Sequence, residues 1–327
     1  MGAVKSTIIG TGSFLPERVM TNKDMESIVD TSDDWIRQRT GIEQRHIAGD
    51  METTSAMGTK AAEKALENAG LKGADIDGVI VATSTPDTTF PSVAVQIQSS
   101  IGAKNGPSFD VQAVCSGFVY ALNVADGLIK SGAVRRLLVV GSEKFSNILN
   151  WQDRTTCVLF GDGAGAVILE ARQTDQNAGI SERGIHSSHL HADGDLKDIL
   201  YTDGGVATTK TAGHVVMNGR EVFKNAVELM SDVVNETLKH NNISADDIDW
   251  LVPHQANVRI IESTRKKLDL PPEKVVVTVH LHGNTSAASI PLALDTAVQD
   301  SRIRQNDLIL FEALGAGLTW GSVLARF

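Results

Sequence analysis

Three residues of this chain have types and contexts that could do covalent chemistry: Cys115, His254 and Asn284. Cys115 sits in Asp110-Val-Gln-Ala-Val-Cys115-Ser-Gly117-Phe118, where a short β-like run stops and a helical pattern begins. Apolar residues then recur at Phe118, Leu122, Ala125 and Ile129, and Gly132 ends the pattern. A thiol at a helix start faces unpaired N–H groups and the positive end of the dipole. Both favour the thiolate, the form that attacks carbonyls. A lone cysteine is most often a small core residue, so the other two groups carry weight. His254 directly follows the strand-like run Trp250-Leu-Val-Pro253. The C-terminal end of a parallel strand is where α/β folds place ligands. Asn284 lies in His282-Gly-Asn-Thr-Ser-Ala-Ala-Ser289, a small-residue turn that lets a ligand approach.

Two chemistries fit a cysteine, a histidine and an asparagine. In a papain-like hydrolase the histidine is the base for the cysteine and the asparagine orients it. The chain order agrees, but the Cys-Gly-Ser-Cys-Trp signature is absent and the architecture is wrong. The other is decarboxylating condensation of thioesters. The cysteine takes an acyl group, and two neutral donors bind the carbonyl oxygen of a malonyl thioester. As CO₂ leaves, that oxygen becomes an enolate, and donors placed at developing charge stabilise the transition state. An acidic residue there would repel the enolate, so histidine with asparagine suits it.

The elements that must position these groups repeat. A helical pattern over 54–69 is closed by Gly70, followed by Ala74-Asp-Ile-Asp77 and the strand-like Gly78-Val-Ile-Val-Ala82. A second helical pattern over 221–240 is followed by Asp246-Asp-Ile-Asp249 and Trp250-Leu-Val-Pro253. Cys115 opens a helix leading to Leu137-Leu-Val-Val140, and Asn284-Thr-Ser286 opens one leading to Leu308-Ile-Leu-Phe311. This places Cys115 and Asn284 at nearly equivalent points of two halves, divided as 1–172 and 173–327. Alternating strands and helices imply an α/β fold with mostly parallel sheets. The stretch 184–219, rich in Gly, His, Ser and Thr, has no counterpart in the first half and reads as an inserted flap.

The chain has 327 residues, 42% hydrophobic and 21% charged, with a net charge of −10. That is an ordinary globular composition whose charge argues against nucleic-acid or membrane-surface binding. Two cysteines exclude a disulfide framework and suit a reducing cytoplasm. No apolar run could span a bilayer, and no signal-peptide pattern is present. Met1-Gly2-Ala-Val-Lys-Ser6 matches a myristoylation pattern but runs straight into Thr7-Ile-Ile9, which reads as a first buried strand. Gly161-x-Gly163-x-Gly165 invites a dinucleotide-loop reading, but a strand follows it where a helix is required. His186, His189 and His191 with Asp193 and Asp195 read as a polar loop, not a metal site. His280 and His282 read as alternating residues at the end of a strand.

Several segments together resemble β-ketoacyl-[acyl-carrier-protein] synthase III, the initiating condensing enzyme of type II fatty acid synthesis. They are Asp30-Thr-Ser-Asp-Asp-Trp35-Ile-Arg-Gln-Arg39-Thr-Gly-Ile42, the Cys115 segment, Phe160-Gly-Asp-Gly-Ala-Gly-Ala166, His254-Gln-Ala-Asn257, Gly283-Asn-Thr-Ser-Ala-Ala-Ser289 and Thr319-Trp-Gly-Ser322. The resemblance runs nearly end to end. It implies a duplicated thiolase-like fold of five layers, α-β-α-β-α, with two mixed sheets. It implies acylation of Cys115 by a short acyl-CoA, then decarboxylation of malonyl-[acyl-carrier-protein] served by His254 and Asn284, in ping-pong order. It further implies an oxyanion hole from the backbone N–H groups of Cys115 and Ala316. Thr31, Trp35, Arg39 and Arg154 would hold the nucleotide end of coenzyme A, with Gly219 and Asn257 along the pantetheine tunnel. Phe90 would reach across a homodimer to the acyl pocket and favour an acetyl primer. Arg259, Lys266 and Lys224 would form the basic patch that docks acyl carrier protein. No metal or cofactor is implied, and the expected location is the cytoplasm. The family usually shows Phe-Gly-Gly-Gly where this chain has Leu314-Gly-Ala-Gly317, so Leu314 and Ala316 bear on the acyl pocket and oxyanion hole. The rival within the same fold is a condensing enzyme of a specialised pathway with another primer or malonyl-CoA as extender.

Overall fold

The computed structural model describes residues 3–103, 106–175 and 179–327, so Gly2 of the myristoylation pattern lies outside it. The first half runs β1 (Ala3–Phe14), β2 (Val19–Thr21), α1 (Asn22–Met25), α2 (Asp33–Thr40), β3 (Gln44–His46), α3 (Thr54–Ala69), β4 (Gly78–Ala82), α4 (Val93–Ile101), β5 (Ser108–Val111), α5 (Gly117–Lys130), β6 (Arg136–Glu143) and β7 (Gly163–Thr174). The second runs β8 (Gly184–Ala192), β9 (Leu200–Thr202), β10 (Val215–Met217), α6 (Gly219–Asn241), β11 (Trp250–Pro253), α7 (Val258–Lys267), α8 (Val279–His282), α9 (Ser289–Gln299), β12 (Leu308–Gly315) and β13 (Thr319–Arg326). One sheet has the order β1-β7-β6-β4-β5 and the other β11-β12-β13-β8.

The helices α5 and α9 lie between the two sheets. Phe118 and Leu122 of α5 and Ile290 and Leu294 of α9 share one core with Ile80 and Val139 of the first sheet and Phe311 and Val323 of the second. A helix apolar on all sides belongs in such a middle layer. On the outer face of the first sheet, α3 and α4 pack through Met57, Ala61 and Ile97. On that of the second, α6 and α7 pack through Val234 and Ile261. The layers therefore run α-β-α-β-α.

The sheets are mixed and mostly parallel, as expected: β1, β6, β4 and β5 run one way with only β7 reversed, and β11, β12 and β8 run one way with only β13 reversed. The structure corrects three other sequence expectations. The boundary at 172 falls inside β7, which continues to Thr174. The flap does not start at 184, because β8 pairs antiparallel with β13 just as β1 pairs with β7. What is inserted is 193–218, carrying the β9–β10 hairpin. The histidines of 186–191 thus stand on a strand, where His189 and His191 both bond Glu236 of α6 at 3.1 and 2.6 Å.

His280 and His282 lie on the single helical turn α8, not on a strand. The buried Gln255 explains it. Its Oε1 accepts the N–H groups of Thr278 and Val279 at 2.8 and 3.1 Å, and its Nε2 donates to the carbonyls of Pro253 and Val276. Strand pairing for Thr278 and Val279 is thereby replaced by a side chain, and the chain turns. Gln255→Ala leaves four buried backbone groups short of a partner. It is expected to lower stability by about 3 kcal/mol, read as a fall in the urea midpoint at unchanged slope. A loss below about 1 kcal/mol would mean that water replaces the side chain.

A 3₁₀ turn precedes each central helix, Val114–Ser116 before α5 and Ser286–Ala288 before α9. Each opens with a residue at φ 49°, Val114 and Ser286. The counterpart of Cys115 is therefore Ala287, and that of Asn284 is Gln112. The near-equivalence of Cys115 and Asn284 read from the sequence is out of register by a few residues. The turns meet where β6 comes close: a Cβ on Gly141 would lie 2.3 Å from the carbonyl oxygen of Ala287. The glycines of 161–165 serve similar packing, since a Cβ on Gly165 would strike Pro291 and Leu292 at 2.7 Å.

Candidate active site

Cys115 ends the β5-to-α5 connection and is 4% exposed. It borders a cavity of about 840 Å³ that Ala316, Phe145, Ile148 and Phe160 also line. The inserted hairpin closes one side with Leu200, Tyr201 and Val215. Burial pushes the thiol up to about 12, with the nearby Glu143 adding to the rise and hydrogen bonding with Ser286 opposing it. Burial thus opposes the thiolate that the helix start favours.

His254 is buried at the end of β11, its N–H donated to the carbonyl of Glu312 at 2.8 Å. Desolvation pushes its imidazole down to about 3, so it is neutral at physiological pH. Glu312 adds no charge beside it, because burial lifts that carboxyl to about 8. Ser289 Oγ lies 2.6 Å from His254 Nδ1 and accepts the N–H of Gln255 at 3.3 Å. Its own proton then goes to Nδ1, which leaves the imidazole proton on Nε2 as a donor.

Asn284 is held by its backbone, which accepts from Gly161 at 3.0 Å and donates to Leu159 at 2.8 Å. Its Oδ1 accepts the N–H of Ser286 at 2.9 Å, so Nδ2 remains to donate. One short segment thus ties the three groups. The Ser286 hydroxyl serves the Cys115 thiol, the Ser286 amide orients Asn284, and the Ser289 hydroxyl fixes His254.

Gly315 and Ala316 show how the altered glycine run is accommodated. A Cβ on Gly315 would lie 2.4 Å from the oxygen of Ala113 and 3.0 Å from the nitrogen of Cys115, so glycine is required there. Gly317 takes the left-handed conformation at φ 135°, whereas Ala316 keeps a negative φ and lines the cavity with Cys115. An alanine is unstrained at that point. Leu314 does not line this cavity. It packs with Ala226, Met230, Ile260 and Leu318 on the α6–α7 side of the second sheet, because alternate residues of a strand face opposite ways. Phe90 lies outside the cavity of its own chain and is 83% exposed.

The remaining sequence candidates fall on two surfaces. Trp35 is half-buried, with the guanidinium of Arg39 4.8 Å and that of Arg154 5.4 Å from its ring centroid. Thr31 Oγ1 is buried without a hydrogen-bond partner. Gly219 opens α6 beside open space, where a Cβ would meet only Met217 Cε at 3.6 Å. Asn257 caps α7, its side chain accepting from Ile260 at 2.9 Å. Arg259, Lys266 and Lys224 are exposed on α7 and α6, and Arg259 lies 5.6 Å over the Phe223 ring. Among the described residues no group of three or more His, Cys, Asp or Glu could hold a metal ion, and no helix is long and apolar enough to cross a membrane.

Sequence reasoning missed Glu143, Ser286 and Ser289 as site residues. Ser286 and Ser289 stood in the small-residue turn and passed as space-makers. Glu143 carried a usable signal, an acid at the C-terminal end of a buried apolar strand.

Residues 109–194 match the family model 3-oxoacyl-[acyl-carrier-protein (ACP)] synthase III, and residues 238–327 match the model of its C-terminal part. The chain is 59% identical to the β-ketoacyl-[acyl-carrier-protein] synthase III of Allorhizobium ampelinum over 324 residues, 99% of this chain and 100% of that one. It is 60% identical to the same enzyme of Sinorhizobium medicae over 325 residues, again 99% and 100%. Among solved structures it superposes on 3-oxoacyl-[acyl-carrier-protein] synthase III from Aquifex aeolicus with a TM-score of 0.92 and 46% identity, covering 98% of this chain and 100% of that one. The priming β-ketosynthase of the R1128 polyketide pathway superposes with a TM-score of 0.93 at 33% identity, covering 100% and 98%. The layered duplication and these likenesses define a thiolase-fold condensing enzyme, an acyltransferase. Within that class, the chain belongs to the β-ketoacyl-[acyl-carrier-protein] synthase III family.

Proposed function

We propose that this acyltransferase carries out the condensation that opens type II fatty acid synthesis, with Cys115 as the acyl carrier. An acyl-CoA primer, acetyl-CoA by preference, acylates Cys115 and coenzyme A leaves. Malonyl-[acyl-carrier-protein] enters and loses CO₂, and its enolate attacks the Cys115 thioester. The product is 3-oxoacyl-[acyl-carrier-protein]. The observation that carries this reading is the segment from Asn284 to Ser289. Its groups contact the cysteine, a neutral imidazole and an oriented side-chain amide, a set with donors and no carboxylate among the three. Each step uses groups of the chain itself, so neither metal nor redox cofactor is required.

In this reading the backbone N–H groups of Cys115 and Ala316 hold the thioester oxygen as it becomes an oxyanion. Trp35 stacks on the adenine, and Arg39, Arg154 and Thr31 hold the phosphates and ribose of coenzyme A. Gly219 leaves room for the pantetheine arm, and the free amide end of Asn257 donates to it. The carrier protein, an acidic partner, docks on Arg259, Lys266 and Lys224. The enzyme works as a cytoplasmic homodimer in which the exposed ring of Phe90 closes the acyl cavity of the partner subunit.

Incubation with malonyl-[acyl-carrier-protein] and acetyl-, isobutyryl- or octanoyl-CoA tests the reaction. The 3-oxo product is expected, fastest with acetyl-CoA. Free acid without 3-oxo product would establish a hydrolase instead. Trp35→Ala is expected to raise the KM for acetyl-CoA about tenfold with kcat little changed, because stacking contributes equally to ground and transition states. A fall in kcat at constant KM would remove Trp35 from the nucleotide site.

A further inference from the structure

A thiol held near 12 must lose its proton as it attacks, and the neutral imidazole of His254 has one ring nitrogen occupied by Ser289. We propose that Ser286 and Glu143 form a proton relay that takes the Cys115 proton during acylation. The inference rests on Cys115 being the acyl carrier, and concerns where its proton goes.

The geometry is that of a relay at rest. The Ser286 hydroxyl is within hydrogen-bonding reach of the thiol and donates to Glu143 Oε1 at 3.1 Å. Its oxygen is thereby free to accept the S–H. Glu143 is fully buried at the end of β6, where a carboxyl without a task would be costly. It is instead prepared to carry charge. Ser84 N–H donates to both oxygens at 3.1 Å, and the hydroxyls of Thr83 and Thr85 reach Oε2. These donors partly offset the burial that lifts the carboxyl, leaving it at about 7, a base near neutrality. Ser286 holds φ 49°, a conformation costly for a residue with a side chain. Its counterpart Val114 shares that φ without a polar group, so the hydroxyl is specific to the half that faces the thiol.

In the step, the Cys115 S–H bond breaks and its proton passes to Ser286 Oγ, while the Ser286 proton passes to Glu143. The sulfur lone pair forms the bond to the acyl carbonyl carbon. When the tetrahedral adduct collapses, the proton stored on Glu143 is available to the departing thiolate of coenzyme A. Among the described residues the groups that act on Glu143 are the Cys115 thiol, the Ser84 amide and the hydroxyls of Thr83, Thr85 and Ser286. Lys144, next in the chain, turns away and places Nζ on the carbonyl of Gly49 at 2.6 Å.

The test is the rate of Cys115 acylation by acetyl-CoA, read by rapid quench and intact mass from about pH 5.5 to 9. In the wild-type enzyme the rate should rise about tenfold per pH unit below 7 and then level off. Glu143→Gln should slow acylation about 100-fold at pH 8 and remove the levelling-off above 7, because the thiolate fraction of a thiol near 12 then sets the rate and keeps rising with pH. Ser286→Ala, which leaves the carboxylate in place, should remove the plateau in the same way and decides the matter if the glutamine variant does not fold. Variants that acylate at the wild-type rate, or slowly with the wild-type midpoint kept, would overturn the relay. Absence of any adduct on the wild-type enzyme would overturn the acyl-Cys115 reading and this inference with it, whereas an adduct with an unaltered pH profile in the variants sinks the relay alone.

Discussion

His254→Ala and Asn284→Ala are each expected to leave acetyl transfer to Cys115 within a few-fold of wild type and to slow condensation by about 100- to 1,000-fold. The split follows from where charge develops. In the proposed reaction acylation places negative charge beside the backbone N–H groups of Cys115 and Ala316, which neither substitution removes. Decarboxylation in that reaction places it on the malonyl thioester oxygen, the atom assigned to Nε2–H of His254 and Nδ2 of Asn284. Both donors are fixed before substrate arrives, one by Ser289 and the other by the amide of Ser286. Removing a preorganised donor in a dry site loses its full worth, since no reorganisation remains to soften it. Because burial holds His254 neutral down to about 3, the decarboxylation step should show no pH dependence from imidazole between pH 5 and 8. Stopped-flow release of CO₂ from malonyl-[acyl-carrier-protein] on pre-acylated enzyme separates the two steps. Equal losses in both half-reactions would mean that His254 acts on the thiol instead.

Cys115→Ala should have the largest effect, abolishing acyl-enzyme and lowering 3-oxo product formation by more than about 10,000-fold. Nothing else nearby substitutes: Cys157, the second cysteine, is buried and burial pushes its thiol up to about 11. The donors remain, so the variant should still decarboxylate malonyl-[acyl-carrier-protein], giving acetyl-[acyl-carrier-protein] because the enolate has no thioester to attack. Condensation persisting in this variant would show that the acyl group passes directly between the two substrates.

The duplicated α/β plan was readable because its signals are local and periodic: two Asp-Ile-Asp turns, two apolar strands, and an amphipathic helix before each turn. The strand β8 was not. Its histidines and serines lack an apolar alternation, and only pairing with β13 makes it a strand. The turn of α8 was hidden for the opposite reason, since it depends on four bonds from Gln255. Cys115, His254 and Asn284 stood out because each has reactive chemistry beside a strand end or helix start. Glu143 and Ser286 did not, because their meaning lies in a contact across the two halves, which no spacing along the chain encodes. The burial that opposes the Cys115 thiolate was hidden on a similar point, as it depends on the whole fold while the helix start is local. Leu314 was misplaced by a strand's alternation: its neighbour Ala313 faces the central core, and it faces the other side.

Cys115 as the carrier of the acyl group is tested most directly by peptide mass mapping after incubation with acetyl-CoA, then again after malonyl-[acyl-carrier-protein] is added. One acetyl group should appear on the peptide containing Cys115, and it should vanish as an equal amount of 3-oxobutyryl-[acyl-carrier-protein] forms. An acetyl group on any other residue, or one that leaves as free acetate at the same rate with and without the malonyl substrate, would contradict it.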